Sequence, residues 1–155
     1  MEIREFLRYF NAKLFLQELR STSKDEVLNE MVDFVSHQTP LKDSQLILDM
    51  LNRREQLGST GIGSGIAIPH GRSISSADIL VAFGKSKEGI DYDSIDKKPV
   101  HLIFMIIAPP QEQSNVYLPF LGKLVEILKE EQVREKLQNA ETYREFVDAL
   151  SGGFK

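Results

Sequence analysis

The sequence predicts an α/β sandwich: one mixed β-sheet flanked by helices on both faces. Three observations carry this. Val100 to Ala108 is almost continuously apolar, with His101 its one polar member, as in a strand covered on both faces. Ser23-Lys24-Asp25-Glu26 and Thr142-Tyr143-Arg144-Glu145 are capping boxes, each leading into apolar residues at helical spacing. Helical patterns thus lie before and after the apolar strand segments, the order expected when helices pack on a shared sheet.

Taken in order, the apolar cluster Leu14-Phe15-Leu16 predicts a first strand near residues 13–18. Val27, Leu28, Met31, Phe34 and Val35 then give a helix to about Ser36, and Pro40 punctuates. Asp43 caps a second helix with an apolar face of Leu46, Ile47, Met50 and Leu51. Arg53 and Arg54 suit its last turn, where cations complement the helix dipole, and Gly58 ends it. Ile66–Ile68 and Ile79–Phe83 are expected strands, with Gly84 to Lys98 a polar connection before the Val100–Ala108 strand. Pro109-Pro110 stops that strand. Pro119 belongs in a first turn, so a third helix starts near Tyr117 or Leu118, with Leu118, Leu121, Leu124, Val125 and Leu128 on its face. Val133 and Leu137 mark a short helix, and Phe146, Val147 and Leu150 the face of a last one that Gly152-Gly153 ends.

The 155 residues suit one domain, 1–155, with no repeat or linker visible. A hydrophobic fraction of 41% and a charged fraction of 27% are ordinary for a soluble globular protein. The net charge of −4 gives no support for nucleic-acid binding, which leaves a basic footprint. Absence of cysteine excludes disulfides and thiol catalysis and fits a cytoplasmic protein. The charged start carries no signal-peptide core, and the longest apolar run is too short to enter a bilayer as a span.

The stretch from Glu55 to Arg72 holds the candidate chemistry. Four glycines fall between positions 58 and 65, interleaved with Ser59, Thr60 and Ser64, and Ile66-Ala67-Ile68-Pro69 leads into His70. Glycines let backbone N–H groups turn toward an anion, and proline stiffens the approach to the histidine. A histidine so placed suits a nucleophile, a general base or a metal ligand. The chain has two other histidines, His37 at a helix end and His101 in the apolar strand; structural roles are expected for both.

Several chemistries fit poorly. His70 has no His-x-x-x-His or carboxylate cluster for a metal. Ser64 is not in a Gly-x-Ser-x-Gly elbow, because positions 62 and 66 are isoleucine. The glycine-rich run lacks the Gly-Lys-Ser/Thr of a P-loop, and Ile66 breaks a dinucleotide fingerprint. What remains is a histidine beside an anion-friendly loop, with Arg54 nearby in the chain. Phosphoryl transfer through histidine needs such parts. An imidazole with a reference pKa of about 6.5 is mostly neutral in the cytosol and can attack in line. Fixed donors and a guanidinium stabilise the charge spread over the equatorial oxygens.

At Glu55, Ser59-Thr60-Gly61-Ile62-Gly63 and Gly65-Ile66-Ala67-Ile68-Pro69-His70-Gly71 the sequence resembles the enzyme IIA domain, fructose/mannitol/nitrogen-regulatory type, of the bacterial phosphoenolpyruvate-dependent sugar phosphotransferase system. Pro99-Val100-His101-Leu102-Ile103-Phe104 and Ala108-Pro109 extend the likeness over nearly the whole chain. The resemblance implies that His70 accepts a phosphoryl group on Nε2 from the histidine-containing phosphocarrier protein and passes it to a IIB domain. It implies Arg54 as charge stabiliser, Thr60, Gly63 and Ser64 as supporting loop residues, and no metal or nucleotide cofactor. It departs at one point. Members of this type usually carry a second histidine at the start of the helix after Ala-Pro, and here Tyr117 is the best match, with Pro119 two residues on. Tyrosine is neutral at pH 7 and lacks the charge of an imidazolium. The alternative is therefore a regulatory module that docks on a target protein, with phosphotransfer weakened at Tyr117.

Overall fold

A computed structural model describes residues 1–41, 43–112 and 115–154. In chain order the elements are α1 (Ile3–Leu7), a 3-10 turn (Ala12–Leu14), β1 (Phe15–Leu16), α2 (Lys24–Gln38), α3 (Ser44–Gln56), β2 (Gly61–Gly63), β3 (Ile66–Ala67), β4 (His70–Arg72), β5 (Leu80–Ile90), β6 (Val100–Ala108), α4 (Tyr117–Leu128), α5 (Glu131–Asn139) and α6 (Tyr143–Gly152).

The expected caps form. Ser23, Asp43 and Thr142 accept from the backbone N–H of Glu26, Leu46 and Glu145, which opens α2, α3 and α6. Pro119 falls in the first turn of α4, which starts at Tyr117.

β6 organises the sheet. The order is β1-β5-β6-β3-β2, with β4 also pairing β6. β6 runs antiparallel to β5 and parallel to both β3 and β4, and β2 folds back antiparallel on β3. Every residue of β6 except His101 is buried, as its apolar run requires. Its side chains alternate between two cores. Leu102, Phe104, Ile106 and Ala108 join α1, α4, α5 and α6 on one face. Ile103, Met105 and Ile107 join α2 and α3 on the other. The first core is aromatic: Phe83 and Phe146 lie 4.5 Å apart and Phe6 and Phe120 4.9 Å, contacts worth about 0.5–1.5 kcal/mol each beyond burial.

Three expectations need correction. The strand expected over 13–18 is reduced to Phe15–Leu16, because Asn11 caps a 3-10 turn ahead of it through the Lys13 N–H. Residues 84–90 are strand, not connection: Lys85 pairs with Leu102 and Ile90 with Val100 across β6. Leu118 is 67% exposed, and Phe120 takes the core position in α4. The opening residues also form a short helix, α1, which buries Phe6.

Candidate functional site

His70 stands at the start of β4, where the β3–β4 segment runs along the C-terminal half of β6. The Pro69 carbonyl accepts from Ile106 N–H at 2.9 Å, and His70 pairs with Ile106 and Arg72 with Ala108. Strand alternation puts His70 and Arg72 on one face and Gly71 on the other. A Cβ on Gly71 would collide with Met50 of α3, so the His70 and Arg72 side chains face the α4 side of the sheet.

The imidazole is oriented by its own chain. His70 Nδ1 lies 2.6 Å from the Ile68 carbonyl oxygen. A carbonyl only accepts, so Nδ1 carries the proton and donates. Nε2 is then left with its lone pair. The ring is half-buried, which leaves an approach from solvent.

Three groups, Arg72 of the same strand and two from other elements, converge on this face. Tyr117, in the first turn of α4, is buried, and its N–H donates to Glu112 Oε1 at 2.7 Å. The Arg72 guanidinium lies over the Tyr117 ring, 4.7 Å from its centroid, while Nη1 donates to the Pro109 carbonyl at 2.9 Å. Arg54, from the last turn of α3, donates Nη1 to the Gly58 carbonyl at 2.9 Å. Burial pushes the Tyr117 phenol up to about 12; Arg72 and Arg54 oppose that shift and Glu112 adds to it. Both arginines thus act on the same ring. The Gly58 tether also explains how Arg54 arrives. Ile68 N–H donates to the Thr60 carbonyl, and β2 runs antiparallel to β3, so Gly58 and Ser59 lie alongside Pro69 and His70.

Behind the loop lies a buried ionic network. The Glu55 side chain is 6% exposed. Oε1 accepts from Lys24 Nζ and from Thr60 N–H, both at 3.0 Å. Oε2 accepts from the Thr60 hydroxyl and from the Tyr92 hydroxyl, the latter at 3.1 Å. Burial first, and the Glu55 charge second, raise the Tyr92 phenol far above its usual value. Thr60 therefore supports the loop through Glu55; its hydroxyl does not face a ligand.

Gly63 and Ser64 are not brought to His70. The Gly65 carbonyl accepts from His101 and Leu102 N–H, at the other end of β3. Leu102 precedes Ile106 by four residues on β6, or about 13 Å of strand. Ser64 adopts φ 57°, and its N–H donates to Asp96 Oδ2 at 3.0 Å. A carboxylate already occupies the donor that an anion would need, so this turn is a structural hairpin closed by Asp96. His101 donates Nδ1–H to the Ser86 carbonyl at 2.9 Å, linking β6 to β5, and His37 bonds the Asp33 carbonyl within α2. Gln113 and Ser114, in the segment ahead of Tyr117, lie outside the described residues. The residue that sequence reasoning passed over is Arg72. Its signal was its spacing: two residues from His70 in a strand means the same face.

Comparison with known proteins agrees with this architecture. Residues 8–152 match the family described as "Phosphoenolpyruvate-dependent sugar phosphotransferase system, EIIA 2", and the chain belongs to that family. It is 33% identical over 151 residues to the fructose-specific EIIA component of Haloferax volcanii, covering 97% of each chain. It is 38% identical over 151 residues to the fructose-specific EIIABC component of Bacillus subtilis; that match covers 97% of this chain but only 23% of the longer protein. Among solved structures, nitrogen regulatory protein IIA-Ntr of Neisseria meningitidis superposes with a TM-score of 0.84 at 29% identity, covering 92% of this chain and 97% of that one. Sugar-specific and nitrogen-regulatory relatives thus share this fold. Among the described residues no helix is long and apolar enough to cross a membrane.

Proposed function

We propose that residues 1–155 act as one IIA phosphocarrier domain in which His70 Nε2 takes a phosphoryl group from a histidine-containing phosphocarrier protein and hands it to a IIB domain. The observation that carries this reading is the Nδ1–H bond to the Ile68 carbonyl, which leaves Nε2 as the nucleophile. In the transfer the Nε2–P bond forms as the bond from phosphorus to the donor's ring nitrogen breaks. The electron pair returns to that nitrogen, and the donor, protonated on its other ring nitrogen, leaves as a neutral imidazole. His70 keeps its Nδ1 proton on Ile68 throughout, so the product is a phosphoimidazolium whose positive ring offsets part of the phosphoryl charge. Arg54, tethered beside His70 through Gly58, supplies a guanidinium for the equatorial oxygens. No metal or nucleotide enters this scheme.

The test is incubation with phosphoenolpyruvate and the two general phosphotransferase proteins, read by intact mass under non-acidic conditions. One phosphoryl group is expected on the wild type and none on His70→Ala. An unmodified wild type refutes the reading.

A second reading rests on the IIA-Ntr likeness. Here phosphorylated and unphosphorylated forms differ in binding to a regulatory target protein, and His70 is a switch rather than a relay. Equal affinity of both forms for every candidate target would remove it.

A further inference from the structure

We propose that Arg72, carried on the face of the Tyr117 ring, is the second guanidinium that holds the phosphoryl group at His70. The proposal rests on the phosphocarrier reading above and names an additional residue of that same site.

The geometry begins with β4. His70 and Arg72 project from the same face, about 6.6 Å apart along the strand, a separation that two long side chains and one phosphoryl group can span. Arg72 is exposed, but its guanidinium is held in place. Its guanidinium lies over the Tyr117 ring at 4.7 Å, and one of its five N–H donors is held by the Pro109 carbonyl. Both contacts steer the group toward the N-terminal end of α4, and among the described residues its other donors have no hydrogen-bond acceptor. A planar cation over an aromatic face is held with little loss of charge.

The electrostatics point the same way. Among the described residues, neither Arg72 nor Arg54 has a carboxylate within ion-pairing distance, although both act on the Tyr117 phenol. Arg54 reaches this region from α3 and Arg72 from β4, each tethered by one backbone carbonyl. Two guanidiniums from different elements, oriented by neutral groups around one histidine, make a site that awaits a dianion. Tyr117 then has a defined part. It supplies no charge of its own; its ring is a dry platform that keeps Arg72 over the site. Charge opposite His70 is delivered by an arginine on a tyrosine. Tyr117 is accordingly a positioning residue, and Arg72 is the group that touches the phosphoryl oxygens.

A merely structural Arg72 would tie β4 to the loop after β6 and do nothing more. The two roles separate in the kinetics of His70 phosphorylation by the phosphorylated phosphocarrier, followed at limiting and saturating donor for wild type, Arg72→Ala, Arg72→Lys, Tyr117→Phe, Tyr117→Leu and the Arg72→Ala/Tyr117→Leu double variant, each with its urea midpoint. Arg72 is exposed, so Arg72→Ala should keep the wild-type midpoint. Its saturating rate should fall about tenfold or more, with Arg72→Lys recovering part of the loss. Tyr117→Phe keeps the ring and should lose less than Tyr117→Leu, and the double variant should be no slower than Arg72→Ala alone. Three results overturn the proposal: an Arg72→Ala rate equal to wild type, a loss confined to donor KM, or Tyr117→Phe as slow as Tyr117→Leu, which would make the hydroxyl the acting group. Failure of the wild type to take up phosphate removes the phosphocarrier reading itself, and this assignment with it.

Discussion

Replacing Glu55 by glutamine tests whether the buried network behind the loop holds the site together. Four donors converge on the Glu55 carboxylate: Lys24 Nζ, Thr60 N–H, and the hydroxyls of Thr60 and Tyr92. A carboxylate accepts on both oxygens. An amide of the same shape accepts on one and presents an NH2 to donors on the other side. With the amide oxygen on the Lys24 side, the two hydroxyls lose their charged acceptor, and the Lys24 ammonium, 18% exposed on its side chain, loses its counter-charge. Hydrogen bonds to charged groups contribute about 1.5–3 kcal/mol each, so two of them give a loss of about 3 kcal/mol or more. For a chain of this length that corresponds to a fall in Tm of about 6–12 °C. Calorimetry on wild type and Glu55→Gln reads it directly. A fall of less than about 2 °C would refute the reasoning, since the network would then be replaceable by one polar group of the same size.

Other perturbations probe separate parts. Arg54→Ala should slow phosphorylation of His70 by on the order of ten- to a hundredfold, measured by stopped transfer from the phosphorylated donor, while leaving the urea midpoint close to wild type. Burial raises the Tyr117 phenol from 10.0 to about 12, so the folded state holds this proton more tightly than the unfolded chain does. Its contribution is therefore complete below pH 10 and is lost as pH rises from about 10 through about 12; Tyr117→Phe should flatten that part of the urea-midpoint profile. Gly61→Ala would place a Cβ 2.9 Å from the Ser94 Cα, a backbone contact that cannot swing aside. A destabilisation of about 1–3 kcal/mol is expected in urea titration.

The sheet and its helices were legible because their signals are local. Capping boxes at Ser23 and Thr142 declare helix starts within a few residues, and the unbroken apolar run of β6 declares burial on both faces. The second half of β5 was not legible. Lys85 and Ser86 are polar yet buried: Lys85 pairs with β6 and donates to the carbonyls of Gln138 and Ala140, and the Ser86 carbonyl accepts from the His101 ring. Those partners are long-range, and periodicity cannot report them. Leu118 misled for a different reason. The apolar face of α4 is defined by Tyr117, Phe120, Leu124 and Leu128, and Leu118 falls outside it. At the site, the Pro69-His70 segment and Arg54 could be read from the chain, but the division of the glycine run could not. Its first part lies beside His70, while Gly63–Gly65 turns at the far end of β3 under Asp96. Only the register of β3 and β4 on β6 separates the two.

The central claim is that the Ile68 carbonyl selects which ring nitrogen reacts. Long-range proton–nitrogen NMR of the phosphorylated protein, labelled on the His70 ring, identifies the phosphorylated atom. The account predicts phosphorus on Nε2, with the Nδ1 proton retained and hydrogen-bonded. Phosphorus on Nδ1 would contradict it.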